Sequence, residues 1–339
     1  MSDRDARRRP DGGGAQQLTL VEAINDALHV AMGEDDRVMV YGEDVAESGG
    51  VFRATEGLLE AFGSERVLDM PLSEIAIVGT AIGLAIQGKR PVVEIQFSGF
   101  LPPAFNQLVQ NAGRVRWRNR GEQTAPMVVR TPYGGGVRAL EHHSESLEAA
   151  YAHVPGIKVV VPATPADAKG MLLSAIRDPD PVVFMEPKRV YRSFREAVPE
   201  GDHEVPLGEA TVRREGEDVT LIAWGSMLHY ALEAAENLAG RDVDVEVVDL
   251  RSISPLDRET VVESVRKTGR AVVVHEAPRS GGFAGEIVAS INEGALMYLE
   301  APIERVTGFD TPMPMLARED YYLPNPPRIE RAVESVLGY

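Results

Sequence analysis

The sequence has no cysteine, which excludes a disulfide framework, a thiolate metal site and a thiol nucleophile together. It also lacks any apolar run of about 18 residues, so no segment is expected to cross a bilayer as a helix. Positive charge is scarce: 35 Lys and Arg face 52 Asp and Glu, for a net charge of -17. Such an acidic surface argues against nucleic-acid and anionic-membrane partners. Lysine is almost missing, since Lys89, Lys158, Lys169, Lys188 and Lys267 leave 30 of the 35 basic residues as Arg. That bias is what a surface built for high salt shows, and equally what an arginine-favouring genome produces. The 7 His residues form no H-E-x-x-H or similar spacing, so a zinc site built by this chain is not expected. Ser144 lies beside His143, but without a G-x-S-x-G elbow it does not read as a nucleophile. There is no Walker motif, and the loop Ser280-Gly281-Gly282-Phe283-Ala284-Gly285 lacks the first glycine of a dinucleotide fingerprint. It reads better as a turn that brings a helix close to its sheet.

What is present is ample for packed cores. Hydrophobic residues make up 44% of a 339-residue chain, beyond the size at which one core usually keeps growing, so two domains are expected. Residues 1–17 are polar and glycine-rich and read as a disordered arm. Arg7 to Arg9 are followed by no apolar segment, so neither a secretory nor a transit peptide is expected, and the location is expected to be cytoplasmic. Residues 18–190 read as one α/β domain, 191–205 as a linker containing Pro199-Glu200-Gly201, and 206–339 as a second domain. Thr19 and Glu22 form a capping box that opens the first helix. Strand-like runs at 37–41, 127–132, 157–165 and 181–187 are apolar on both faces and alternate with helices, including one over 103–117. The same alternation resumes from 218. This pattern predicts an α/β chain of two doubly wound domains, each with a mainly parallel sheet covered on both sides.

One stretch, Asp69 to Phe100, organises the first domain. Ile75 to Gly88 is apolar almost all round and thinned by Gly79, Ala81, Gly83 and Ala85, which predicts a buried helix. Glu74 sits at its mouth. Ser73 capping the helix and Glu74 complementing its dipole would explain the pair without function. The alternative is a carboxylate held in an apolar pocket to grip a protonated ligand nitrogen. Phe97, Phe100 and Phe105 fit core packing first. Further on, His142-His143-Ser144 follows Gly134-Gly135-Gly136 at a strand end, where parallel sheets bind ligands. A histidine there is a candidate acid/base, or simply a loop residue bonded to backbone. Adjacent residues are not expected to face one site together, so at most one of the two is expected to act.

Eight blocks together carry a family resemblance: GEDV (42–45), SGGVFRATEGL (48–58), PLSE (71–74), EIQFSGF (94–100), RTPYGGG (130–136), HHSES (142–146), SAIRDPDPVVF (174–184) and RVTGFDTPMP (305–314). From Leu18 onward the chain resembles the β subunit of thiamine-diphosphate-dependent 2-oxo acid dehydrogenases, the E1 component of pyruvate and branched-chain complexes. SGGVFR, FMEPKRVYR (184–192) and HEAPRSGGFAGEI (275–287) are nearer to the branched-chain type than to mitochondrial pyruvate dehydrogenase. The resemblance implies a pyrimidine-binding domain followed by a transketolase C-terminal-like domain. It implies that Glu74 contacts N1′ of the cofactor's aminopyrimidine, with Leu72, Gln96 and Phe100 at the other pocket positions and Glu43 coupled to Glu74. His143 matches the family's active-site histidine. A structural monovalent cation such as K+ would fall on Met127, Val128, Ala175, Asp178 and Asp180, mostly through backbone carbonyls; Asp180 stands where relatives commonly carry Asn. The Gly-Asp-Gly motif that holds Mg2+ and diphosphate in thiamine enzymes does not occur in this sequence. The resemblance therefore implies an α subunit that supplies Mg2+ and the rest of the site, in an α2β2 heterotetramer. The reaction implied is oxidative decarboxylation of a 2-oxo acid with acyl transfer to the lipoyl group of the E2 acyltransferase. An acetoin dehydrogenase β subunit and a non-catalytic scaffold subunit are the alternatives.

Overall fold

The computed structural model describes residues 14–339. The first half runs β1 (Ala15–Leu18), α1 (Leu20–Glu34), β2 (Val38–Gly42), α2 (Leu58–Phe62), β3 (Val67–Asp69), α3 (Glu74–Ile86), β4 (Arg90–Glu94), α4 (Val115–Arg118), β5 (Val128–Tyr133), α5 (Glu148–Ala152), β6 (Lys158–Val160), α6 (Pro165–Arg177), β7 (Val182–Pro187) and β8 (Glu196–Pro199). The second runs β9 (Thr211–Arg214), β10 (Val219–Ala223), α7 (Ser226–Ala239), β11 (Val245–Asp249), β12 (Ser252–Ser254), α8 (Arg258–Thr268), β13 (Ala271–Val274), α9 (Ala284–Ala295), β14 (Glu304–Val306), α10 (Glu319–Tyr322) and α11 (Pro326–Leu337).

Two mainly parallel sheets result, in the orders β12-β6-β7-β5-β4-β2-β3 and β14-β13-β10-β11-β9. Consecutive valines show why the central strands read as unbroken apolar runs. Val92, Val128 and Val182 feed the core under α1 and α6, whereas Val93, Val129 and Val183 feed the core under α3. Period-two alternation sends neighbours to opposite faces, and both faces are covered. Local signals set the helix ends. The expected capping box forms, with Thr19 accepting from the Glu22 amide. Thr164 caps α6 in the same way, with Pro165 in its first turn.

Four expectations change. Residues 1–13 of the expected arm lie outside the described residues, but Ala15 to Gln17 form β1 instead, paired antiparallel with β8 inside the expected linker. This two-stranded ribbon is short and half-exposed, so backbone pairing holds it without an apolar period. The helix expected over 103–117 is broken into 3-10, π and 3-10 turns before α4. Pro102 and Pro103 fit the first turn, and the irregular turns come later, where Gly113 packs against Ile157. The third change is in α3, which is buried on one face only. Ile77, Val78, Ala81, Ile82 and Ala85 are covered, while Ile75 is 49% exposed and Ile86 37%. Lastly, β12 leaves the second domain and adds antiparallel to β6, the edge of the first sheet.

Parallel pairing brings Gly42, Asp69, Glu94 and Arg130 into register, and Tyr133 beside Pro187. The loops after β2, β4, β5 and β7 therefore emerge along one sheet edge. That edge is where ligands bind in open parallel sheets.

Candidate active site

Glu74 is the first residue of α3, half-buried, with its neighbour Leu72 81% exposed. Ser73 occupies the N-cap position, yet its side chain makes no capping bond, so that part of the structural reading does not hold. Glu43, just beyond β2, is also half-buried. Burial first, and the charge of Glu74 next, push its carboxyl above the ordinary range. Two acids that repel each other at an open rim would be relieved by a proton or a protonated ring nitrogen between them. Gln96 reaches Asp44 Oδ2 through its Nε2 at 3.4 Å.

A second group, aromatic, follows β4 and β5. Phe97 and Phe100 meet edge to face with ring centroids 5.4 Å apart, and His143 stands 4.5 Å from Phe97 and 5.1 Å from Phe100. His142 also packs on Phe100, at 5.6 Å, contrary to the expectation that adjacent residues cannot share a site. The two lie on the 3-10 turn Glu141–His143, and the broad Phe100 ring meets both. Their surroundings still distinguish them. His142 is exposed and its Nδ1 lies 3.3 Å from Glu141 Oε1, whereas His143 Nδ1 is buried with no hydrogen-bond partner. Burial, then the positive charges of His142 and Lys188, lower the His143 pKa against a smaller pull from Glu141. A neutral imidazole at neutral pH can accept a proton.

Beneath the His143 loop lies a group of acids that the sequence did not single out. Glu148, Glu276 and Glu319 are buried, as is the Lys188 ammonium. Their positions in sequence are far apart, and only Gly134-Gly135-Gly136 hinted that something approaches the backbone closely there.

The family described as "Transketolase, pyrimidine binding domain" matches residues 16–193, and "Transketolase, C-terminal domain" matches residues 208–329. The pyruvate dehydrogenase E1 component subunit beta of Acholeplasma laidlawii is 50% identical over 312 residues, 92% of this chain and 95% of that one. Its Bacillus subtilis (strain 168) counterpart is 49% identical over 323 residues, 95% and 99% of the two chains. The chain belongs to the E1 β-subunit family of 2-oxo acid dehydrogenases. A solved structure described as "Split gene transketolase, inactive beta4 tetramer" has a similar fold, with a TM-score of 0.74 at 26% identity, covering 96% of this chain and 99% of that one.

This E1 β family implies thiamine diphosphate, and the rim suits one part of it. Paired acids, an exposed leucine and an aromatic wall fit a flat heterocycle that carries a protonatable nitrogen. Among the described residues, no cluster of three or more His, Asp or Glu is arranged to hold a metal. Of the residues expected around K+, Asp178 and Asp180 follow α6 with their side chains in ion pairs. Arg116 Nε lies 2.7 Å from Asp180 Oδ1, Lys158 pairs with Asp178, and Arg90 donates to the Ile176 carbonyl at 2.7 Å. The Met127 carbonyl accepts from the Val182 amide at 3.0 Å.

Proposed function

We propose that this chain is the β half of an E1 enzyme that decarboxylates a 2-oxo acid and passes the acyl group to a lipoyl carrier on an E2 component. Pyruvate is the first substrate to test, because the relatives above carry that name; branched-chain 2-oxo acids come second on the motif evidence. What supports the reading is that Glu43 feels the charge of Glu74 while Phe100 packs against His143, on loops that follow β2, β3, β4 and β5 of one parallel sheet. Thiamine diphosphate, when bound, supplies a carbon that adds to the keto group and takes up the electrons released with CO2. Glu74 would hold a proton at the pyrimidine N1′, and Glu43, which burial and the charge of Glu74 push upward, would gain from that proton's presence. Leu72 and Phe100 would wall the ring and Gln96 would border it, while the packed face of α3 would keep water from behind. His143 accepts and returns a proton during acyl transfer.

The rim is half a site. Leu72 and Ile75 are exposed beside it and Ile86 at the far end of α3, and an α subunit holding Mg2+ and the diphosphate is proposed to cover them in an α2β2 assembly. The similar split-gene transketolase chain is described as inactive in its β4 tetramer, which supports needing a second kind of chain. The test is Glu74→Gln in the reconstituted α/β pair, with decarboxylation followed by an artificial electron acceptor. A loss of about a hundredfold or more is expected, the scale of losing one preorganised group at the reacting centre. Near-normal decarboxylation would refute the assignment. Running the wild-type pair on pyruvate, branched-chain 2-oxo acids and acetoin assigns the substrate.

A further inference from the structure

The loop that carries His143 is held in place from the second domain. Where β5 ends, three successive amides are each taken. Gly134 donates to the Glu145 carbonyl at 2.9 Å, Gly135 to Glu276 Oε2 at 2.7 Å, and Gly136 to Glu319 Oε1. The first bond closes residues 134–145 into a ring, with His143 two residues before the junction. Ser98 Oγ donates to the same Glu145 carbonyl at 2.6 Å, which ties the ring to the turn bearing Phe97 and Phe100. Glu276 follows β13 and Glu319 opens α10, so the two acids lie 141 and 183 residues beyond the amides they hold. The glycines make this possible. A Cβ on Gly134 would stand 2.4 Å from Glu276 Oε1, and one on Gly135 would stand 2.8 Å from Glu319 Oε1.

The arrangement costs stability, which argues for a role beyond packing. Glu276 and Glu319 are 3% and 1% exposed, and Glu276 Oε1 and Glu319 Oε2 accept no hydrogen bond. Lys188, also 3% exposed, has no hydrogen-bond partner for its ammonium. Half-satisfied ionisable groups in a core are worse for stability than apolar ones of similar size. Carboxylates do, however, hold backbone amides more firmly than neutral acceptors. We propose that Glu276 and Glu319 are positioning residues, which set His143 against Phe97 and Phe100 by fixing the amides of Gly135 and Gly136. This rests on the reading that His143 acts in the site.

The test uses the α/β holoenzyme with pyruvate and a lipoyl acceptor, comparing H143A, E276A, E276Q and the E276A/H143A double variant. E276A is expected to lower kcat about tenfold or more while leaving KM for pyruvate within about twofold, as for a displaced group rather than a lost binding contact. E276Q keeps an acceptor for the Gly135 amide and should recover most of the loss. The double variant should be no slower than H143A alone, because the clamp then has nothing left to position. Losses that multiply in the double variant, an E276Q no better than E276A, or an undiminished kcat in E276A would each overturn the proposal. H143A at full rate would remove the histidine reading itself, and that single variant reports it without any clamp variant. Should E276A fail to assemble, E319A and E319Q, which address the Gly136 bond, carry the same comparison.

Discussion

Glu148 shows how much one buried residue weighs beneath the rim. It is fully buried at the start of α5, and burial, with a further push from Glu276 and against a smaller pull from its own backbone amide and Trp224, raises it to about 7. Against an ordinary 4.5, the group adds no pH-dependent cost while it is protonated in both folded and unfolded chains. As pH rises from about 4.5 through 7, the unfolded chain ionises first, so stability is lost, by about 3 kcal/mol above that window. Glu148→Gln is therefore expected to stabilise the protein above pH 7 and to make no difference below about pH 4.5. Urea unfolding at both ends of the range checks it; an equal gain at both would show that ionisation is not the cause. Single residues also mark the limit of the sequence. Glu74 and Phe100 come within one stretch whose pattern is visible, and His143 follows a glycine run. Glu276 and Glu319 carry no local signal, because their partners are amides more than a hundred residues away.

At the scale of elements, α3 is the informative case. Its limits were legible: an apolar run over 75–88 became a helix at Glu74–Ile86. Its surroundings were not, because an all-round apolar helix has the same sequence whether its second face is covered by its own chain or by another. Gly83 lies on that open face, where an added Cβ would meet nothing within 4 Å. Gly83→Leu should thus leave the melting temperature of the isolated chain unchanged or slightly higher, given leucine's better helix propensity. It should also abolish co-purification with an α subunit. Retained association would place the partner on a different face. Elements without strong periodicity were the ones missed. β1 is held by backbone pairing, and β9 is a four-residue edge strand. The broken helix departs from its pattern at the π and 3-10 turns of 107–114, where Gly113 sits close against Ile157.

For the whole molecule, the two domains are less separate than an expected linker at 191–205 implies. β12 completes the first sheet, Ser252 and Ser254 pairing with β6, and Glu276 and Glu319 bond the loop after β5. Removing either half would strand a sheet edge and buried carboxylates. The isolated chain is expected to unfold in one calorimetric transition whose calorimetric and van't Hoff enthalpies agree. Two resolved peaks would show that these links are too weak to couple the halves. The open face of α3 has a consequence for the cell that makes the chain. Ile75 and Ile86 beside Gly79 and Gly83 leave an apolar seam until something closes it. Chaperones and proteases act on molecules that display such seams. Under the proposed α/β assembly, copies made in excess of the covering subunit are expected to be the ones most readily cleared, so that the ratio of the two chains is corrected after synthesis as well as set by it.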